Sequence, residues 1–79
     1  MNNIHEAYKT LFLYDDLVQF DIRIDGEMKT LTGKVKSTDR FGIFTHNKEP
    51  SYNIYCKEYD VVFKHIKQSE LRKVTTESF

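Results

Sequence analysis

The residues best suited to chemistry in this 79-residue chain are three histidines and one cysteine. His5, His46 and His65 fall on a predicted helix, a loop and a strand, and they lack the spacing of metal ligands. Cys56 has only Lys57 as a basic neighbour, and adjacent residues of a strand point to opposite faces. The chain also has no glycine-rich phosphate loop and no nucleophile elbow. The sequence therefore predicts neither an enzyme nor a metal or cofactor site.

Composition and charge narrow the class of protein further. Twelve Lys and Arg residues balance twelve Asp and Glu residues, which argues against binding to duplex DNA through bulk charge. The basic residues are concentrated in segments 29–36 and 64–73, so one face can still be positive. A single cysteine excludes an intramolecular disulfide, and we expect it to be buried. The chain has no apolar run of membrane-spanning length and no secretion signal, so we expect a cytoplasmic protein without a membrane partner.

The apolar pattern predicts one helix followed by short strands. Asn3 and Glu6 as a capping pair, together with apolar residues at helical spacing, predict a helix over 3–13. Apolar residues alternate from Leu17 to Ile24, and Asp25-Gly26 predicts a hairpin turn. Further strands are predicted over 28–37, 41–45, 52–57 and 61–66, followed by a helical turn over 67–70 and an extended stretch over 71–74.

These elements predict a mainly β fold: a small five-stranded, strongly bent antiparallel β-barrel with an N-terminal α-helix. A single domain would span 1–74 and a disordered tail 75–79. Gly33 inside the second strand indicates a sharp bend or a close backbone approach. Asp39 is expected to bond its own backbone and hold a turn. Because the core of so short a chain is small, we expect some aromatic residues to serve an oligomer interface.

The segment GKVKSTDRF, Gly33 to Phe41, resembles the first signature of the Sm and Hfq proteins, in which a strand glycine precedes an Asp-x-Phe turn. Phe63-Lys64-His65-Ile66 is similar to the second signature of the bacterial Hfq branch and lies on the last long strand. A helix leading into a five-stranded barrel is also the Hfq order, so the resemblance covers about residues 3–67. It implies an Sm-like fold and a protein that binds single-stranded RNA.

The resemblance also implies a homo-oligomeric ring, a hexamer or a heptamer. In such rings the edge of the fourth strand pairs with the fifth strand of a neighbour, which uses the open edges of a small sheet. The residues expected at the interface between copies are Tyr52, Ile54, Tyr55, Val62 and Phe63.

Around the pore of such a ring, single-stranded RNA would stack its bases on planar side chains and place its phosphates near cations. Lys64 would supply charge at the pore and His65 a flat, hydrogen-bonding ring. Asp39, Arg40 and Phe41 would form the loop that faces them, with Arg40 or Phe41 stacking on a base.

Each of these residues also has a purely structural interpretation. Asp39 would form its turn whatever the function. Phe41 continues the inward alternation of its strand, and Lys64 can be a solvated lysine. His65 shares a face with Phe63 and can be a hydrogen-bonded core histidine.

A second resemblance favours a different function. The segment from Gly26 to Val35, followed by Asp39, is similar to the YolD-like proteins, small barrels thought to be accessory partners of repair polymerases. It implies a protein–protein interaction module, encoded by a phage or plasmid, without a nucleic-acid site. A third alternative is an adaptor that shares only the small barrel with both families, because one fold hosts many functions.

Overall fold

A computed structural model describes residues 7–45 and 48–74, which form one five-stranded antiparallel sheet. The elements in chain order are β1 (Leu17–Ile24), β2 (Glu27–Asp39), β3 (Ser51–Cys56), β4 (Val61–Lys67), a 3₁₀ turn (Gln68–Glu70) and β5 (Arg72–Lys73). The order in the sheet is β4-β3-β2-β1-β5, so β4 and β5 are its two edges. The mainly β fold of five antiparallel strands is confirmed.

The sheet is not closed into a barrel, so this part of the prediction is wrong. The reason lies in β5, which has two residues, both paired with β1 at Val18 and Gln19. Closure requires a continuous ladder around the sheet, and among the described residues no ladder joins β5 to β4.

The hairpin between β1 and β2 turns at Asp25 and Gly26, as the sequence predicts. Ile24 pairs with Glu27, and the two turn residues have φ values of 52° and 84°. Positive φ at both positions is the geometry of a type I′ turn, whose twist matches that of the flanking strands. The Asp-Gly pair therefore adopts the turn that its residue types favour.

Residues 41–45, predicted to be a strand, form a compact loop instead. The Asp39 carboxylate accepts hydrogen bonds from the backbone N–H groups of Phe41 at 3.1 Å, Ile43 at 2.6 Å and Phe44 at 3.4 Å. Because one side chain takes these donors, they are not free to pair with a neighbouring strand. The turn held by Asp39 is thus confirmed and the strand is wrong.

The predicted N-terminal helix is absent from residues 7–13, and residues 3–6 lie outside the described residues. Residues 7–16 instead form an irregular segment against the sheet, here called the N-terminal strap. The Tyr8 N–H donates to the Arg40 carbonyl at 2.8 Å, and the Asp16 carbonyl accepts from the Val35 N–H at 3.0 Å. Most of these backbone bonds of the strap go to β2 and its following loop, and the bond from the Asp16 N–H to the Leu13 carbonyl closes only a local turn.

Side-chain contacts also hold the strap in place. Phe12 is buried and meets Tyr52 edge-to-face, with ring centroids 5.4 Å apart. The Gln68 side-chain oxygen accepts from the Leu11 N–H at 2.9 Å and from the Tyr52 hydroxyl, while its amide donates to the Lys9 carbonyl at 3.3 Å. An 11-residue helix is marginal in water, so these tertiary partners prevail over the local helical pattern.

The core lies on the inner face of the sheet and includes Phe12, Val18, Phe20, Leu31, Val35, Tyr52, Ile54, Cys56 and Leu71. Cys56 is fully buried, as predicted, and its burial raises the pKa of the thiol. A Cβ atom on Gly33 would lie 2.5 Å from the Tyr55 carbonyl oxygen and 2.7 Å from the Ile54 Cγ2 atom. The close backbone approach expected at Gly33 is therefore confirmed. The tail expected over 75–79 lies outside the described residues.

Candidate functional site

Two segments singled out in the sequence, the Asp39 turn and the Lys64-His65 pair, are brought together by an aromatic contact. The ring of Phe44 stacks on the imidazole of His65, with centroids 3.9 Å apart and planes 22° apart. Phe44 belongs to the loop that Asp39 holds, and His65 belongs to the edge strand β4. We call this pair the aromatic platform; it joins the loop to the strand.

A β-bulge in β4 gives His65 its direction. Lys64 and His65 together lie opposite the single residue Asn53 of β3. His65 has a φ of 61°, which is uncommon for a residue other than glycine, and its N–H donates to the Asn53 side-chain oxygen at 3.0 Å. Bulges change the direction of side chains and occur often beside functional sites. The two candidate residues of β4 thus lie at its one irregular position.

The bulge also decides between the two interpretations of His65. Phe63 packs inward and meets Phe20 edge-to-face at 5.8 Å, and Ile66 packs against the core as well. Lys64 and His65 lie between these inward residues and are both exposed. The interpretation of His65 as a core histidine is therefore wrong, because the extra residue interrupts the alternation on which it depended.

The loop after Asp39 presents apolar groups to solvent. Phe41, Ile43 and Phe44 are 51%, 71% and 55% exposed, respectively. Arg40 is exposed as well, while its backbone carbonyl is bonded to the strap. Phe41 does not continue an inward alternation, so its structural interpretation as a core residue is wrong. The loop therefore offers one exposed ring, Phe41, and one cation, Arg40, in addition to the Phe44 ring of the aromatic platform.

The sequence alone indicates no functional role for Phe44, which lies in a predicted strand. The only local signal is the apolar series Phe41, Ile43 and Phe44, which is equally typical of a strand. The contact with His65 joins residues that are far apart in the chain, so it could be found only in the folded protein.

Replacement of Asp39 by Ala should release the loop. The substitution removes a side-chain acceptor shared by three backbone donors, and we expect it to lower the free energy of unfolding by about 1–3 kcal/mol. The His65 ring signals in an NMR spectrum should shift, because the Phe44 ring would leave. The control is Glu27→Ala, which removes an exposed carboxylate from the other end of β2. Unchanged His65 signals in the Asp39 variant would contradict this role.

The residues expected at an oligomer interface fall into two groups. Tyr52 and Ile54 are buried in the core, and β3 lies between β2 and β4 without a free edge. The expectation that the side chains of Tyr52 and Ile54 contact a second copy is therefore wrong, because both are buried within the subunit. Tyr55 lies on the outer face of the same inner strand. Val62, 42% exposed, and the partly buried Phe63 lie on the edge strand β4, where a second copy can reach the backbone.

Comparisons with known proteins leave the function of this arrangement open, since no family model, curated protein or solved structure matches the chain. Within residues 7–45 and 48–74, no group of three or more His, Cys, Asp or Glu side chains could hold a metal ion. In the same residues, no helix has the length and apolar character needed to cross a membrane. His5 and His46 lie outside this part of the chain.

Proposed function

We propose that the protein is a cytoplasmic, Sm- or Hfq-like protein that binds single-stranded RNA as an oligomeric ring. The observation that carries the proposal is the exposed aromatic platform, in which Phe44 of the Asp39 loop stacks on His65 of the β4 bulge. Single-stranded nucleic acids bind where planar groups accept bases and nearby cations accept phosphates. Each base–aromatic stack contributes about 1–3 kcal/mol.

Each candidate residue has a role in this proposal. Phe41 offers its exposed ring to a base, and His65 offers a flat ring that can also form hydrogen bonds. Arg40 and Lys64 are exposed cations that neutralise phosphates. Asp39 acts indirectly: both of its oxygens accept backbone N–H groups, so it shapes the loop.

The two outer strands of the described sheet support assembly into a ring. The resemblance implies pairing between the fourth strand of one copy and the fifth strand of the next, and β4 and β5 are the outer strands here. Because β5 has only two residues, apolar side chains of β4 must add to the contact. Val61 and Val62, 44% and 42% exposed, are the side chains available for it. A ring would bring one aromatic platform per copy to a shared opening and strengthen binding through avidity.

The double substitution Lys64→Ala/His65→Ala tests the RNA site. We expect affinity for short oligo-U or oligo-A to fall at least about tenfold, because a cation and a stacking surface are removed together. Fluorescence anisotropy of labelled RNA at one fixed salt concentration measures the change. Phe44→Ala should weaken binding without any change in charge, whereas Lys29→Ala, which removes a lysine from the distant hairpin, should have little effect. If the double variant and the unmodified protein bound RNA equally well, Lys64 and His65 would not be part of the RNA site.

The same proposal requires that the RNA-binding form be a ring. Native mass spectrometry of the full chain, with and without oligo-U, should therefore show six or seven copies as the implied ring sizes. A chain that remains monomeric at high concentration in both conditions would contradict assembly. If such a monomer still bound RNA, the aromatic platform would remain the proposed RNA site, but binding by a ring would be excluded.

A further inference from the structure

The outer face of the sheet contains a cleft of about 340 Å³ that the proposed RNA site does not use. It lies across β1, β2 and β3, and its lining includes Leu17, Lys34, Lys36, Tyr55 and Lys57. Lys34 and Tyr55 are direct partners in the ladder between β2 and β3. The volume is within the range of clefts that hold small ligands. None of these residues belongs to the Asp39 loop or to the β4 bulge.

The lysines give this cleft a net positive charge. Lys36 lies 3.1 Å from the Asp15 carboxylate and is held above the Tyr14 ring at 5.1 Å, so its charge is compensated. Lys34 and Lys57 form no ion pair within the described part of the chain. Two ammonium groups that line one cleft repel each other, whereas an anion bound between them attracts both. The charge therefore favours an anionic ligand.

The rest of the lining includes an aromatic ring, that of Tyr55, and an apolar side chain, that of Leu17. The Tyr55 hydroxyl donates to the Asp60 side-chain oxygen at 2.7 Å, and this hydrogen bond fixes the ring. The same bond raises the pKa of Tyr55, so the ring stays neutral at physiological pH. Leu17 adds apolar surface beside it. A planar group in the cleft can therefore stack on Tyr55 while remaining close to both free cations.

We infer that this cleft binds a nucleoside monophosphate, with its phosphate between Lys34 and Lys57 and its base on the Tyr55 ring. A phosphate monoester carries about −1.5 to −2 charges at neutral pH, which matches two ammonium groups. Asp15 and Asp60, bonded to Lys36 and Tyr55, place carboxylates beside the cleft. They would repel the further phosphates of a polymer, so a single nucleotide fits better than a strand. The inference is independent of the proposed RNA function.

An NMR titration of the full chain with adenosine monophosphate tests the inference. Backbone amide shifts should change around residues 33–36 and 55–57 and remain constant at 64–65. The variant Lys34→Gln/Lys57→Gln should bind at least about tenfold more weakly, because it loses both uncompensated charges. The matched control is Lys29→Gln/Lys67→Gln, which removes two lysines that lie in ion pairs elsewhere. This control should retain its affinity to within about twofold.

Further measurements separate the base from the phosphate. Tyr55→Leu should weaken binding of adenosine monophosphate and leave binding of inorganic phosphate unchanged, because only the stacking surface is lost. The inference is overturned if adenosine monophosphate in large excess shifts none of these amides, or if inorganic phosphate binds as tightly as the nucleotide. It is also overturned if oligo-U shifts these amides while the mononucleotide does not, since the face would then serve a polymer.

Discussion

Gly33→Ala should lower the free energy of unfolding by about 3 kcal/mol or more, the upper end of the cost of overpacking. The added Cβ would lie 2.5 Å from the Tyr55 carbonyl oxygen, 2.7 Å from the Ile54 side chain and 3.0 Å from the Cys56 sulfur. The nearest atom belongs to the backbone of an inner strand, so a change of rotamer cannot relieve the contact. Relief of the backbone contact requires β2 and β3 to move apart, which would disturb the core.

Urea unfolding followed by circular dichroism measures this effect. Gly26→Ala is the matched control, since it adds the same methyl group where no atom lies within 4 Å. That variant should lose only about 1–2 kcal/mol, the cost of the positive φ at the hairpin turn. Equal losses in the two alanine variants would contradict the close approach at Gly33.

Phe12→Ala should detach the N-terminal strap and lower the free energy of unfolding by about 3–5 kcal/mol. Phe12 is 7% exposed, and the substitution removes its edge-to-face contact with Tyr52 together with its buried area. A single core in so short a chain supplies only about 3–5 kcal/mol in total, so much of this variant should be unfolded at room temperature.

Hydrogen exchange separates loss of the strap from global unfolding. The amides of Tyr8 and Leu11 should lose protection first, because their acceptors lie on Arg40 and Gln68 outside the strap. Leu13→Ala is the control: its side chain is 68% exposed, and the expected change is within about 0.5 kcal/mol. If the Phe12 variant were as stable as the Leu13 variant, the strap would contribute little to the free energy of unfolding.

The N-terminal strap also contacts the loop that carries part of the candidate site. Its Tyr8 N–H bonds the Arg40 carbonyl, and a Cβ on Gly42 would lie 3.0 Å from the Tyr8 ring. The strap thus contacts one side of the loop whose other end stacks on His65. Detachment of the strap is therefore expected to disturb the aromatic platform, so RNA-binding measurements are best made with variants that keep Phe12.

Short-range sequence features determined a large part of this fold. The Asp-Gly pair at 25–26 supplies the positive φ values that a tight hairpin needs, and alternation from Leu17 onward identifies β1 and its buried face. Gly33 has no side chain, which allows the backbone of the adjacent strand to approach closely. The Asp39 carboxylate accepts hydrogen bonds from residues that follow it closely in the chain. These features follow from residue type because each depends on few partners.

The tertiary structure decided the features whose partners lie far apart in the chain. Leu11 bonds Gln68 across 57 positions, and bonds of this kind replaced the predicted helix with a strap. The bulge at Lys64-His65 depends on the register of β4 against β3, and it exposed a histidine that simple alternation would have buried. The stack of Phe44 on His65 requires both the Asp39 turn and that bulge. The periodicity of apolar residues describes one segment at a time. These features instead depend on competition between backbone and side-chain groups for hydrogen-bond partners in the folded chain.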